Sequence, residues 1–242
     1  MKNKIRMTWG SWLFESSWDE HEKYSTGLKE LIYEDAKQLK RDIDSDVAVV
    51  QKSNLIEPKL VFFQKYLSDD RLYPLIDYLD YQVRSVYTSL CNTHSNKEWP
   101  KDVTVNFKDS WYHITKDRGY HDVHNHGNSS ICGIYYLNIG NSNTEHSVGI
   151  NKFFAPFIPS TDDSDYGYHW WPSEMINIVP ENGKLVLFPG YLMHNATPYE
   201  GDEDRLVIAF NAQILKKGDV GLTISNVFNK LPLFKEDSNT SI

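Results

Sequence analysis

At 242 residues, 40% of them apolar, the chain can bury one large core, or one core with a helical appendage. Its formal net charge of −8, with no long Lys/Arg run, argues against binding a nucleic-acid backbone, which is the work of clustered cations. No stretch approaches the roughly 20 apolar residues of a membrane span, and Cys91 and Cys132 are too few for a disulfide framework, so a soluble protein of the reducing cytoplasm is expected.

The first strong pattern lies in "SWDEHEKYSTGLKELIYEDAKQLKRDI", where Leu28, Leu31, Ile32, Ala36 and Leu39 recur at helical spacing, with Asp19 or Ser17 as the cap. A second helix is expected in "SDDRLYPLIDYLDYQVRSVYTSLCN", through Leu75, Leu79, Val83, Val86 and Leu90; Ser68 would cap it and Pro74 start or kink it. Between them "DVAVV" and "KLVFFQ" fit either state. From about residue 100 the period changes. "DVTVNFKDSWYHIT", "SICGIYYLNI", "GINKFFAPFI", "MINIVP", "GKLVLFP" and "RLVIAFNAQIL" are β-branched or aromatic runs, separated by Gly, Asn, Pro and Asp. Short strands with no helical pattern between them predict an antiparallel sandwich or barrel. The interruption "STDDSDYGYHWWPSE" is long and aromatic enough for a lid, or for a plain surface insertion. The expected organisation is one domain: a helical support region over about 1–98, a β core over about 99–215, and a tail over about 216–242.

Within "YHDVHNH", three histidines fall in six residues. His124 and His126, two apart, share a face of an extended segment, so two imidazoles can reach one ion. His121 has the opposite parity and joins only if the chain bends, which Gly119 and Gly127 permit. Downstream, "GKLVLFPGYLMH" delivers His194 after a strand broken at Pro189–Gly190, and eleven residues later Arg205 opens "LVIAF". An arginine leading an apolar strand needs an anion. That anion is either a small-molecule carboxylate, gripped through two parallel hydrogen bonds, or one of Asp202, Glu203 and Asp204 at a strand edge.

Together, "HNHGNSSICGIYYLN" and Gly183 to His194 followed by Arg205 resemble the iron(II)/2-oxoglutarate-dependent dioxygenases. The likeness is strongest to a bacterial and phage group with H-x-H ahead of "SGVYYL". The resemblance implies a double-stranded β-helix, a jelly-roll barrel flanked by the N-terminal helices. It implies Fe(II) held by His124, His126 and His194, with 2-oxoglutarate and O2 as cosubstrates. Arg205 would bind the distal carboxylate of 2-oxoglutarate, helped by the hydroxyl of Tyr136. A peptidyl side chain or small metabolite would be hydroxylated, with release of succinate and CO2. His126 stands where most relatives have Asp; if it does not ligate, His121 or Asp122 would stand in. Val207 replaces a common Ser, and Gly127 a common Pro. Cupins share the Gly, H-x-H and later His pattern but carry a Glu after H-x-H, where this chain has Asn128, Ser129 and Ser130. A metal-binding cupin, acting as an isomerase or a 2-oxoglutarate-independent dioxygenase, is therefore the second reading. A non-enzymatic jelly-roll binding module is the third.

Overall fold

A computed structural model describes residues 11–42, 55–58, 61–93, 99–100, 102–156 and 175–217. Along the chain come β1 (Phe14–Ser17), α1 (His21–Asp42), β2 (Leu55–Ile56), a short α2 (Phe62–Lys65) and α3 (Tyr73–Thr93). The β half follows as β3 (Val103–Thr115), β4 (His121–His124), β5 (Ile131–Asn138), β6 (Asn151–Phe154), β7 (Met175–Ile178), β8 (Lys184–Pro189), β9 (His194–Ala196) and β10 (Arg205–Lys216).

These strands sort into two sheets, a six-stranded one in the order β1-β8-β5-β10-β3-β2 and a four-stranded one in the order β4-β9-β6-β7. All the paired strands run antiparallel. From β3 onward the chain passes back and forth between the sheets, with β6 and β7 a hairpin in the smaller one. Two facing sheets wound in this alternating way form a double-stranded β-helix. The extra strands β1 and β2, from the region expected to be helical, widen the larger sheet at its two edges.

Alternation along the shared strands sets up two cores. On one face Tyr135, Leu137, Leu185, Leu187, Leu206, Ile208 and Phe210 meet Leu28, Leu31 and Ile32 of α1 and Leu75, Leu79 and Val83 of α3. On the other face Cys132, Ile134, Tyr136, Val186, Phe188 and Val207 point between the sheets and pack on Phe153, Ile178 and Leu192. Burial on both faces explains why "SICGIYYLNI" and "RLVIAF" read as continuous apolar runs. Each large side chain so buried contributes roughly 1.5–3 kcal/mol. Gly133 serves the same packing, because a Cβ there would lie 2.2 Å from the Phe210 ring.

Several local expectations need correction. Helix α1 begins at His21, which moves the cap position to Glu20 rather than Asp19 or Ser17. Helix α3 begins at Tyr73, so Ser68 is too far upstream to cap it, and Pro74 sits in the first turn, where its missing N–H costs nothing. In "KLVFFQ", Phe62 and Phe63 lie on α2 and are buried. Four elements (β1, β2, β4 and β9) were not expected at all; each is at most four residues long, too short to show a period. The segment "DVAVV", the loop carrying Tyr166, Tyr168, Trp170 and Trp171, and the tail beyond 217 lie outside the described residues. Among the described residues no helix is long and apolar enough to cross a membrane.

Candidate active site

The four-stranded sheet carries the histidines. His124 ends β4 and pairs directly with His194, the first residue of β9, so the antiparallel register alone sets the two rings side by side. Their centroids are 4.3 Å apart. The chain then turns, and His126 comes round to stack on His194 at 5.1 Å and on Trp111 at 5.6 Å. One ring nitrogen from each of His124, His126 and His194 lies within 4.8 Å of the others.

A glycine makes that turn possible. The amide of His126 donates to the carbonyl of Gly190 at 2.7 Å, locking the H-x-H loop onto the Pro189–Gly190 turn. A Cβ at 190 would sit 2.3 Å from the Ser129 carbonyl oxygen and 2.6 Å from that of His126. The Pro–Gly pair therefore does more than end β8: it lets the two histidine-bearing segments touch.

Hydrogen bonding settles which nitrogens are available. Nδ1 of His124 contacts the main-chain carbonyl of Asp122 at 2.7 Å, and Nδ1 of His194 that of Leu192 at 3.0 Å. A carbonyl only accepts, so both rings carry their proton on Nδ1 and leave the Nε2 lone pair free. Burial keeps these rings neutral. It lowers the pKa of His194 to about 3, with a smaller push from His124, and that of His124 to about 4. Burial also lowers His126, against a hydrogen bond that its ring donates to Asn211. Asn211 in turn donates to Asp109 at 3.1 Å, an outer support of the kind that orients ligating histidines. Three neutral imidazoles aimed at one point, with backed-up orientations, fit a transition-metal ion.

Arg205 opens β10 on the same inner face. It is 3% exposed, and its Nη2 donates to Oδ1 of Asn151 at 3.0 Å. Tyr136 donates its hydroxyl to that same oxygen at 2.7 Å, and its ring lies 5.7 Å from the guanidinium carbon. The buried Nε of Arg205 has no hydrogen-bond partner. The expected alternative, pairing with Asp202, Glu203 or Asp204, does not occur. Asp204 instead meets Lys116 and the hydroxyl of Tyr33, Asp202 meets Asn141, and Arg205 forms no salt bridge among the described residues. Burial lowers its pKa, offset only by Tyr136 and Tyr199. A buried guanidinium lacking a carboxylate is an anion site in waiting.

The three histidines and Arg205 line one cleft of about 590 Å³, including the solvent at its mouth, with Trp111, Asn151, Phe188 and Val207. Of the alternatives raised by the sequence, His121 lies in the same cleft but groups with Glu57 and His113, through a register irregularity in β4 that gives the bend its parity required. Asp122 is exposed and serves His124 through its carbonyl. Asn151 carries no sequence signal, sitting unremarked in "GINKFF". His113 had one: Trp111, His113 and Thr115 share a strand face opposite Ala209, Val207 and Arg205.

Topology, histidines and arginine together define a double-stranded β-helix with a three-histidine cluster and a buried arginine in one cleft. Residues 109–211 match the model of a family described as "Putative 2OG-Fe(II) oxygenase", so the resemblance read from the sequence holds over the barrel. Among solved structures the chain is similar to a prolyl hydroxylase from Trichoplax adhaerens bound to a hypoxia inducible factor peptide, at 16% identity over 83% of each chain and a TM-score of 0.48. It is similar to HygX from Streptomyces hygroscopicus, crystallised with nickel, 2-oxoglutarate and hygromycin B, at 12% identity over 85% of this chain and 83% of that one, TM-score 0.46. A Pseudomonas putida prolyl-4-hydroxylase aligns at 13% identity over 85% and 93%, TM-score 0.41. No curated protein matches the chain in sequence.

Proposed function

We propose that the protein is an Fe(II)- and 2-oxoglutarate-dependent oxygenase that hydroxylates a peptidyl side chain or a small metabolite. His124, His126 and His194 hold the iron, as an all-histidine set in place of the usual two histidines and a carboxylate. Arg205 takes the distal carboxylate of 2-oxoglutarate. One observation carries this reading: a buried arginine with an unpartnered Nε shares a cleft with three imidazoles that present lone pairs to one point.

Bound iron would supply dioxygen activation, with one oxygen atom going to succinate as CO2 leaves and the other to the substrate. The residues of the chain do the rest. The carbonyls of Asp122 and Leu192 fix two rings in the ligating tautomer. Arg205, held by Asn151 and flanked by Tyr136, sets the depth and direction of the cosubstrate. Phe153 and Phe188 pack against His194 at 5.4 and 4.6 Å between centroids and exclude water from its inner side. A cytoplasmic setting agrees with the two cysteines, both free thiols.

Anaerobic titration with Fe(II) and then 2-oxoglutarate tests the reading. The expected result is a weak visible charge-transfer band that grows only after the second addition. Iron uptake with no band and no 2-oxoglutarate affinity would mean a metal-only, cupin-like protein, and no iron uptake a binding module.

A further inference from the structure

A second set of donors lies at the wall of the same cleft. Glu57, just beyond β2, His113 on β3 and His121 at the start of β4 bring a carboxylate oxygen and two ring nitrogens within 4.8 Å of one another. The group shares no residue with the first, although the His121 and His124 ring centroids are 4.2 Å apart. All three side chains belong to partly buried residues, and His113 and His121 line the cleft.

Where the protons sit decides what this cluster can be. The indole N–H of Trp111 donates to Nε2 of His113 at 2.9 Å, so that nitrogen carries a lone pair. On His121, Nδ1 faces the Asp122 carbonyl at 3.3 Å, which puts the ring proton on Nδ1 and the lone pair on Nε2. Both Nε2 atoms nevertheless face one oxygen, Oε2 of Glu57, at 3.0 and 3.4 Å. One carboxylate oxygen and two imidazole nitrogens thus converge at the cleft wall, close enough together for one ion to span them. Two imidazoles and one carboxylate are also the donor set of open, three-ligand transition-metal sites.

We propose that Glu57, His113 and His121 bind a second divalent transition-metal ion beside the first site, with its open position facing the cleft. Ligation through Nε2 of His113 displaces the Trp111 indole N–H that this nitrogen otherwise accepts. An ion there would give an oxygen atom of the substrate a Lewis-acid contact next to the reacting centre.

Elemental analysis of the untagged full chain, stripped with chelator and dialysed against micromolar Zn2+ alone, tests this. Two ions per chain are expected in the parent. Glu57→Gln and His113→Gln should each leave one, and so should His194→Ala, which empties the other site. Glu57→Gln is nearly isosteric and close to the surface, so it guards against a result that merely reports unfolding. A single ion that survives Glu57→Gln and is lost in His194→Ala would overturn the second site and leave the proposed function standing. A single ion lost in Glu57→Gln and kept in His194→Ala would do the reverse, supporting this site and sinking the iron assignment.

Discussion

The two faces of the six-stranded sheet are made by the same strands and do opposite jobs. Toward the helices β10 presents Leu206, Ile208 and Phe210 to a closed apolar layer. Toward the barrel it presents Arg205, Val207 and Asn211, which meet histidines, a tyrosine and asparagines. One polar group breaks the helix side: buried Asp35 of α1 accepts from Tyr66 at 2.6 Å and Tyr112 at 2.8 Å and pairs with Lys65, so it is fully satisfied there. On the barrel side polar groups are left short of partners, the Arg205 Nε among them. The lesson is a division of labour. One face stores the stability, and the other spends some of it to keep unpaired donors and acceptors ready for ligands.

That division can be broken or sharpened by substitution, and the largest effect should come from the barrel face. His194→Ala should weaken Fe(II) binding by at least about 100-fold, more than loss of an outer support costs a metal site. Circular dichroism should still report the fold, and equilibrium dialysis of iron gives the number. Leu79→Ala, at a fully buried position of the helix side, should cost about 2–5 kcal/mol of folding stability by chemical denaturation. The same variant should keep parental iron affinity per folded molecule; a loss there would join the two faces energetically.

Acid should probe the barrel face next. The folded pKa values of His124, about 4, and His194, about 3, lie below the ordinary imidazole value near 6.5. Between those limits the unfolded chain binds protons that the folded chain refuses, so stability rises with pH. The metal-free protein should therefore lose stability as pH falls from about 6.5 toward 4, each histidine contributing at most about 1.4 kcal/mol per pH unit. In His194→Ala the decline should be shallower; an identical slope would remove His194 as a cause. The smallest effect should be Arg205→Leu on the metal-free protein, a gain of about 1 kcal/mol in thermal or chemical melts, because an uncompensated buried charge is replaced by packing.

How far the sequence disclosed all this depended on length and parity. The helices and long strands carried enough residues for a period to show, and β3 and β10 fall where "DVTVNFKDSWYHIT" and "RLVIAFNAQIL" predict them. His124, His126 and His194 were visible as a spaced pattern, but the element joining them was not. β4 and β9 span four and three residues, and their pairing is tertiary. Asn151 and Glu57 were hidden for the same reason: each acts on a partner more than fifty residues away, Asn151 across the two sheets and Glu57 on a neighbouring strand of one sheet, and nothing local marks it. Parity alone kept His121 apart from the H-x-H pair, and it does stand apart, with donors of its own.

The central claim is that one cleft binds a metal and a dicarboxylate through different residues. Its most direct test is the 2-oxoglutarate affinity of the metal-loaded parent and of Arg205→Ala, by anaerobic calorimetry, with metal content measured in both. Loss of a buried charge partner corresponds to about 2–5 kcal/mol, so the variant should bind 2-oxoglutarate at least about 30-fold more weakly while retaining its metal, and the parent should bind none once stripped. Equal affinity in parent and variant, or binding that ignores the metal, would contradict it.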